Sequence, residues 1–102
     1  MNMEQMMKQA QQFQQRLVQV QEELAKKRVS STVGGGMVTV TVNGRHEVLS
    51  LAIDPAVINP TEQVMLQDLI VAAVNDAMNK AQTLAQQEMA QLTGGIQIPG
   101  LF

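Results

Sequence analysis

Apolar residues in the first quarter of the chain fall at Met3, Met6, Ala10, Phe13, Leu17, Val20 and Leu24. Intervals that alternate between three and four trace the a/d seam of a heptad repeat, so the spacing predicts a helix from about Glu4 to Lys27. The seam is narrow, which suits packing against one partner helix, and the positions between are mostly Gln, a good helix former. After Arg28 the period drops to two. Val29–Val33 is β-tolerant, Gly34-Gly35-Gly36 breaks the chain, and Met37–Val42 alternates so that Val38, Val40 and Val42 share a face. Asn43-Gly44 is a hairpin signal because both residues tolerate the positive φ of a type I′ turn; a four-residue loop fits the pattern as well. Any even-length loop puts Leu49, Leu51 and Ile53 of a returning strand, about Glu47–Ile53, on the face of the three valines.

Asp54-Pro55 ends this sheet, with Asp54 read as shaping the turn. Asn59-Pro60-Thr61-Glu62 reads as an N-cap, a first-turn proline and a carboxylate three residues on, the start of a long helix that reaches about Leu92 and stops at Thr93-Gly94-Gly95. Ala73, Ala77, Ala81 and Ala85 recur every four residues and make a smooth stripe that admits a close neighbour, for which the first helix is the obvious candidate. At 1.5 Å per residue the helices are roughly 35 Å and 45–50 Å long. A short three-stranded sheet cannot cover them, so they project as arms or pack against a second subunit. The expected fold is α+β: a long N-terminal helix, a three-stranded antiparallel meander and a long C-terminal helix, with residues 1–95 as one domain and 96–102 as a flexible tail.

Composition narrows the classes. The chain has 102 residues, 45% hydrophobic and 2% aromatic, and no Cys, Trp or Tyr. A core without large aromatics must be built from Val, Leu, Ile, Met and Ala, and at this size help from a second copy is expected. The lack of Cys removes disulfides, thiolate metal sites and thiol nucleophiles. The longest apolar run, Leu69–Val74, is far short of the roughly 18 residues of a membrane span, and the Gln-rich N-terminus is unlike a signal peptide, so a soluble, unprocessed protein is expected. His46 is read as an exposed turn residue, because a metal site needs several ligands. No nucleophile has a credible base, and the triple glycine lacks the helix N-terminus and Lys-Ser/Thr pair of a phosphate cradle. No enzyme, metal, cofactor or small-molecule substrate is expected.

Net charge is −2, yet it is unevenly spread. Residues 1–28 carry Lys8, Arg16, Lys26, Lys27 and Arg28 against three glutamates; residues 61–102 carry Lys80 against Glu62, Asp68, Asp76 and Glu88. The basic first third could meet phosphates. Alternatively its cations are simply solvated, since Glu4, Glu22 and Glu23 each stand four residues before Lys8, Lys26 and Lys27, and Lys26–Arg28 complement the negative end of the helix dipole. Asp76 stands likewise before Lys80. Gln12, Gln15 and Gln19 offer hydrogen bonds to phosphates or base edges. With Phe13 and Phe102 as the only aromatics, single-strand recognition by stacking is disfavoured.

Four stretches, Met7-Lys8-Gln9-Ala10-Gln11-Gln12, Gly35-Gly36-Met37-Val38-Thr39-Val40-Thr41-Val42-Asn43-Gly44, Ile53-Asp54-Pro55 and Leu66–Ala77, come in an order and spacing that resembles the YbaB/EbfC family of bacterial nucleoid-associated proteins. The resemblance implies a homodimer with helical arms arranged like tweezers, no enzymatic activity, a cytoplasmic, nucleoid location, and binding of double-stranded DNA that influences chromosome organisation or gene expression. The family's contacts are ascribed to its long helices. Lys8 lies in the matched motif; Arg16, Lys26, Lys27 and Arg28 join it by charge. Where family members often have further basic residues after Asn-Asp-Ala, this chain has Met78-Asn79-Lys80-Ala81, which lowers the expected affinity. The leading expectation is therefore a DNA-binding homodimer with weak sequence preference, and the alternative a dimeric protein-interaction module whose helices and apolar tail engage a protein.

Overall fold

The computed structural model describes residues 2–94; the tail expected at 96–102 lies outside them. Helix α1 (Met3–Lys26) leads into strands β1 (Arg28–Val33), β2 (Val38–Asn43) and β3 (Val48–Ile53), and helix α2 (Gln63–Leu92) closes the chain. The strands form one antiparallel sheet in the order β1-β2-β3. The molecule is elongated, 69 × 21 × 17 Å.

Each boundary has a local cause. Asn2 starts α1 by accepting the Gln5 N–H at 2.8 Å, which satisfies one orphan donor of the first turn. Three consecutive glycines with positive φ, Gly34 to Gly36, carry the chain from β1 to β2, which fixes their role as a turn. Asp54 accepts from Ala56 N–H in a 3-10 turn, Pro55–Val57. Asn59 caps a second 3-10 turn, Pro60–Glu62, by accepting from Thr61, and α2 proper starts at Gln63.

The β2–β3 connection differs from a type I′ turn at Asn43-Gly44. Asn43 N–H donates to the Glu47 carbonyl and His46 N–H to the Asn43 carbonyl, which leaves a three-residue turn, 44–46. The residue with positive φ is His46, at 65°, while Gly44 stays outside that region. An odd loop should invert the faces of the returning strand. A bulge repairs this: the partners step from Thr41↔Ser50 to Val42↔Val48, leaving Leu49 as the extra residue, so that Val40 still faces Leu51 and Val38 faces Ile53.

The core joins Val38, Val40 and Val42 to Ala73, Ala77 and Ala81, all fully buried, with Val29, Val33 and Ile70 around them. The alanine stripe therefore lies against the sheet, a correction to the expectation that α1 is its main neighbour. Alanines bring the helix axis close to a valine surface already standing off the backbone, a small-on-large match of the two layers. Only past the sheet, at Ala85 and Met89, does α2 reach the end of α1 around Leu24. Because α2 lies over β1 and β2, the β3 part of the same face stays open: Val48, opposite Val42, is 52% exposed and Leu51, opposite Val40, 46%, with the bulged Leu49 between them 44% exposed. The opposite face is polar, with Ser30–Thr41 and Thr32–Thr39 hydroxyl pairs at 2.9 and 3.0 Å.

Candidate nucleic-acid interface

Helix α1 is an arm fixed at one end. Met3 to Arg16 are exposed without exception, including the apolar positions Met3, Met6, Ala10 and Phe13, whereas Leu17 and Val20 are half-buried and Leu24 is buried. The heptad seam thus uses only its last turns within this chain. At about 1.5 Å per residue, the free part carries Lys8 about 24 Å from Leu24.

The five basic positions divide. Lys8, Arg16 and Lys26 lie exposed on the arm, and Arg28 opens β1 opposite Asn43. None of these four has an ion-pair partner among the described residues. The i,i+4 pairs of Glu4, Glu22 and Glu23 with lysines are accordingly not formed, as expected for long side chains on an exposed helix, where Coulomb gain barely offsets lost rotamer freedom. Lys27 behaves differently: its ammonium pairs with the Glu88 carboxylate of α2, tying the two helices together. The spacing suggested Glu23 as its partner. Nothing local in the sequence pointed to Glu88, 61 residues away.

A second tie joins β1 to α2. Ser31, 2% exposed, donates its hydroxyl to Asp76 Oδ2 at 2.6 Å, and Lys80 reaches both Asp76, at 3.6 Å, and the Ser30 carbonyl, at 2.9 Å. The Ser31 hydrogen bond holds the Asp76 carboxyl below its ordinary range; desolvation opposes this and the Lys80 charge adds to it. The predicted Asp76–Lys80 pair is present, and it commits the lone basic residue of the last third to the fold.

Two further polar features meet the arm. Gln11, Gln14, Gln15, Gln19 and Glu22 surround Val18 on one exposed face of α1. At its root, a cleft of about 520 Å³ is lined by Gln21 and Leu24 of α1, by Arg45 and His46 of the β2–β3 turn, and by Gln82 and Met89 of α2. Arg45 and His46 were legible only as turn residues; their placement beside α1 comes from the turn's contact with the helix end. Among the described residues no three His, Asp or Glu side chains form a group able to hold a metal, and no helix is long and apolar enough to cross a membrane. The arrangement sets isolated cations and amides on a projecting rod, together with the exposed carboxylates of Glu4, Glu22 and Glu23.

Comparison with known proteins agrees with the architecture. The family model described as the YbaB/EbfC DNA-binding family matches residues 1–96. A protein of Pelotomaculum thermopropionicum named nucleoid-associated protein is 52% identical over 101 residues, covering 99% of this chain and 96% of its own. One of the same name from Syntrophobacter fumaroxidans is 54% identical over 95 residues, covering 93% and 86%. Another, from Chloroflexus aurantiacus, is 51% identical over the full 102 residues of both. The crystal structure of an uncharacterized protein from Helicobacter pylori superposes with a TM-score of 0.85 over 92% of this chain and 99% of that one; at 23% identity it speaks to the fold alone.

Proposed function

The chain belongs to the YbaB/EbfC DNA-binding family, and from that premise we propose that it acts as a nucleoid-associated protein, a homodimer that grips double-stranded DNA along its helical arms. The observation that carries the reading is the state of the arm: Lys8, Arg16 and Lys26 exposed on a helix half of which touches nothing else, with Arg28 at its foot, all free of ion pairs among the described residues. Cations already neutralised inside a fold gain little from a phosphate, whereas free ones release counterions when they bind. Lys27, held by Glu88, contributes only if that pair yields.

Contacts of this kind position a protein on the duplex without reading its sequence, which supports weak sequence preference and a role in chromosome organisation or gene expression at the nucleoid. Only binding is required of the site. The uncovered apolar strip of β3 supports dimerisation, because a second copy would remove Leu49 and Leu51 from water and double the number of arms. With the chain at −2, local placement must do the work against an unfavourable overall charge.

Fluorescence anisotropy of a labelled duplex at about 50 and 200 mM salt tests the proposal. Saturable binding that weakens steeply with salt is expected, and Arg16→Ala combined with Arg28→Ala should flatten the log–log slope by about two for each chain that grips the duplex, about four for the dimer. An unchanged slope would remove both arginines from the contact surface. No binding at low salt would reject the DNA reading and favour a dimeric protein-interaction module.

A further inference from the structure

We propose that the β2–β3 turn is the clamp that aims the α1 arm, and that Asn43 is a positioning residue for DNA binding; the second half of this statement rests on the DNA-binding reading above. A helix ends with carbonyls that have no intrahelical donor. In α1 the turn supplies those donors. Gly44 N–H donates to the Leu24 carbonyl at 2.8 Å and to the Lys27 carbonyl at 3.1 Å, and Asn43 Nδ2 donates to the Ala25 carbonyl at 3.2 Å.

Asn43 is 3% exposed and its capacity is fully used. Besides Ala25, its Nδ2 reaches Glu47 Oε1 at 2.8 Å, while Oδ1 accepts the N–H groups of Arg45 and Glu47, both at 3.0 Å. The oxygen builds the turn and the nitrogen holds the helix. Gly44 is needed for approach, since a Cβ there would stand 2.7 Å from Leu24 Cδ2 and 2.8 Å from the Leu24 carbonyl oxygen. With the Lys27–Glu88 pair on the other side, α1 is held at its root from two directions and nowhere along Met3–Arg16.

A rod fixed only at its root amplifies errors there. A tilt of about 10° at Leu24 moves Lys8 by about 4 Å and Arg16 by about 2 Å, taking the rise as 1.5 Å per residue. Both side chains are long and flexible, so what separates the two positions is the size of the shift each must absorb, about twice as large at Lys8. Loosening the clamp therefore costs the Lys8 contact before the Arg16 contact.

Asn43→Asp keeps the turn-building oxygen and removes both donations, and Gly44→Ala disturbs the same contact sterically, so that one variant carries the test if the other does not fold. Because the chain has no Cys, spin labels at Gln9→Cys and Gln67→Cys report the arm-to-α2 distance by double electron–electron resonance, with labelled chains diluted in unlabelled protein. Both clamp variants should broaden or shift that distance and weaken duplex binding about tenfold, the scale of one lost charge-assisted contact. Lys8→Ala should then add little in the Asn43→Asp background, whereas it weakens the unaltered clamp. Asn59→Ala, which removes the cap of the Pro60–Glu62 turn and none of the clamp's hydrogen bonds, should lower thermal stability without either effect. A wild-type distance in both clamp variants, or a Lys8 effect that simply adds to theirs, overturns the proposal. Absence of duplex binding by the wild-type protein would instead reject the DNA reading and the role given to Asn43, with the distances still deciding whether the turn aims the arm.

Discussion

At the scale of single residues, Asp76 shows how a side chain with an ordinary surface look acquires a fixed role. Its carboxyl is drawn below the usual range chiefly by the Ser31 hydroxyl, so it binds its proton less readily folded than unfolded. The resulting stabilisation is present above the unfolded carboxyl's value near 4 and disappears as pH falls through the lower folded value. Asp76→Asn should therefore unfold at lower urea concentration than wild type at neutral pH, with the gap narrowing as the solution is taken below about pH 4. A gap that is constant with pH would mean the charge of Asp76 is irrelevant to the fold. Sequence reasoning found the Lys80 partner because i,i+4 spacing is local; Ser31, 45 positions away, became visible only when β1 was laid beside α2.

At the scale of elements, sheet and helix are matched by volume. Ala77 sits fully buried against the valines of β2, so Ala77→Leu has to force the layers apart and should lower stability by about 1–3 kcal/mol in urea unfolding, while Ala90→Leu on the exposed side of α2 should change it little. Equal effects of the two would mean that α2 does not pack through this stripe. The four-residue spacing of alanines announced a close neighbour without naming it. Strand β3 makes a similar point: that Leu51 and Ile53 lie opposite Val40 and Val38 was legible from alternation, but the three-residue turn was not, nor the compensating bulge that sets Val48 opposite Val42 and leaves Leu49 as the extra residue, because an odd loop plus one extra residue leaves the same parity as an even loop.

At the scale of the whole molecule, the apolar surfaces left open among the described residues include the β3 strip and the outer stretch of the α1 seam. Burying the former in a homodimer is the reading proposed above. Leu49→Glu together with Leu51→Glu should convert a dimer into a monomer in multi-angle light scattering, and should weaken duplex binding by about two orders of magnitude as the second set of arms is lost. A wild-type protein that is monomeric at micromolar concentration would remove dimerisation from the mechanism. A double variant that stays dimeric would place the interface elsewhere, with the exposed α1 stripe the next surface to alter.

Element order, strand alternation, the terminators at Gly34–Gly36 and Asp54-Pro55, and the basic bias of residues 1–28 were all determined by the sequence itself, because each depends on neighbours within a turn or two of chain. Tertiary structure alone decided which helix covers which strand, that Lys27 answers to Glu88 and not Glu23, and that Gly44 serves close approach to Leu24 instead of a positive φ. Those outcomes depend on groups far apart in the chain meeting in space, and residue spacing carries no record of such meetings. The arm is the clearest case: heptad periodicity says that α1 has an apolar side, while only the packed molecule shows that most of this side is left free.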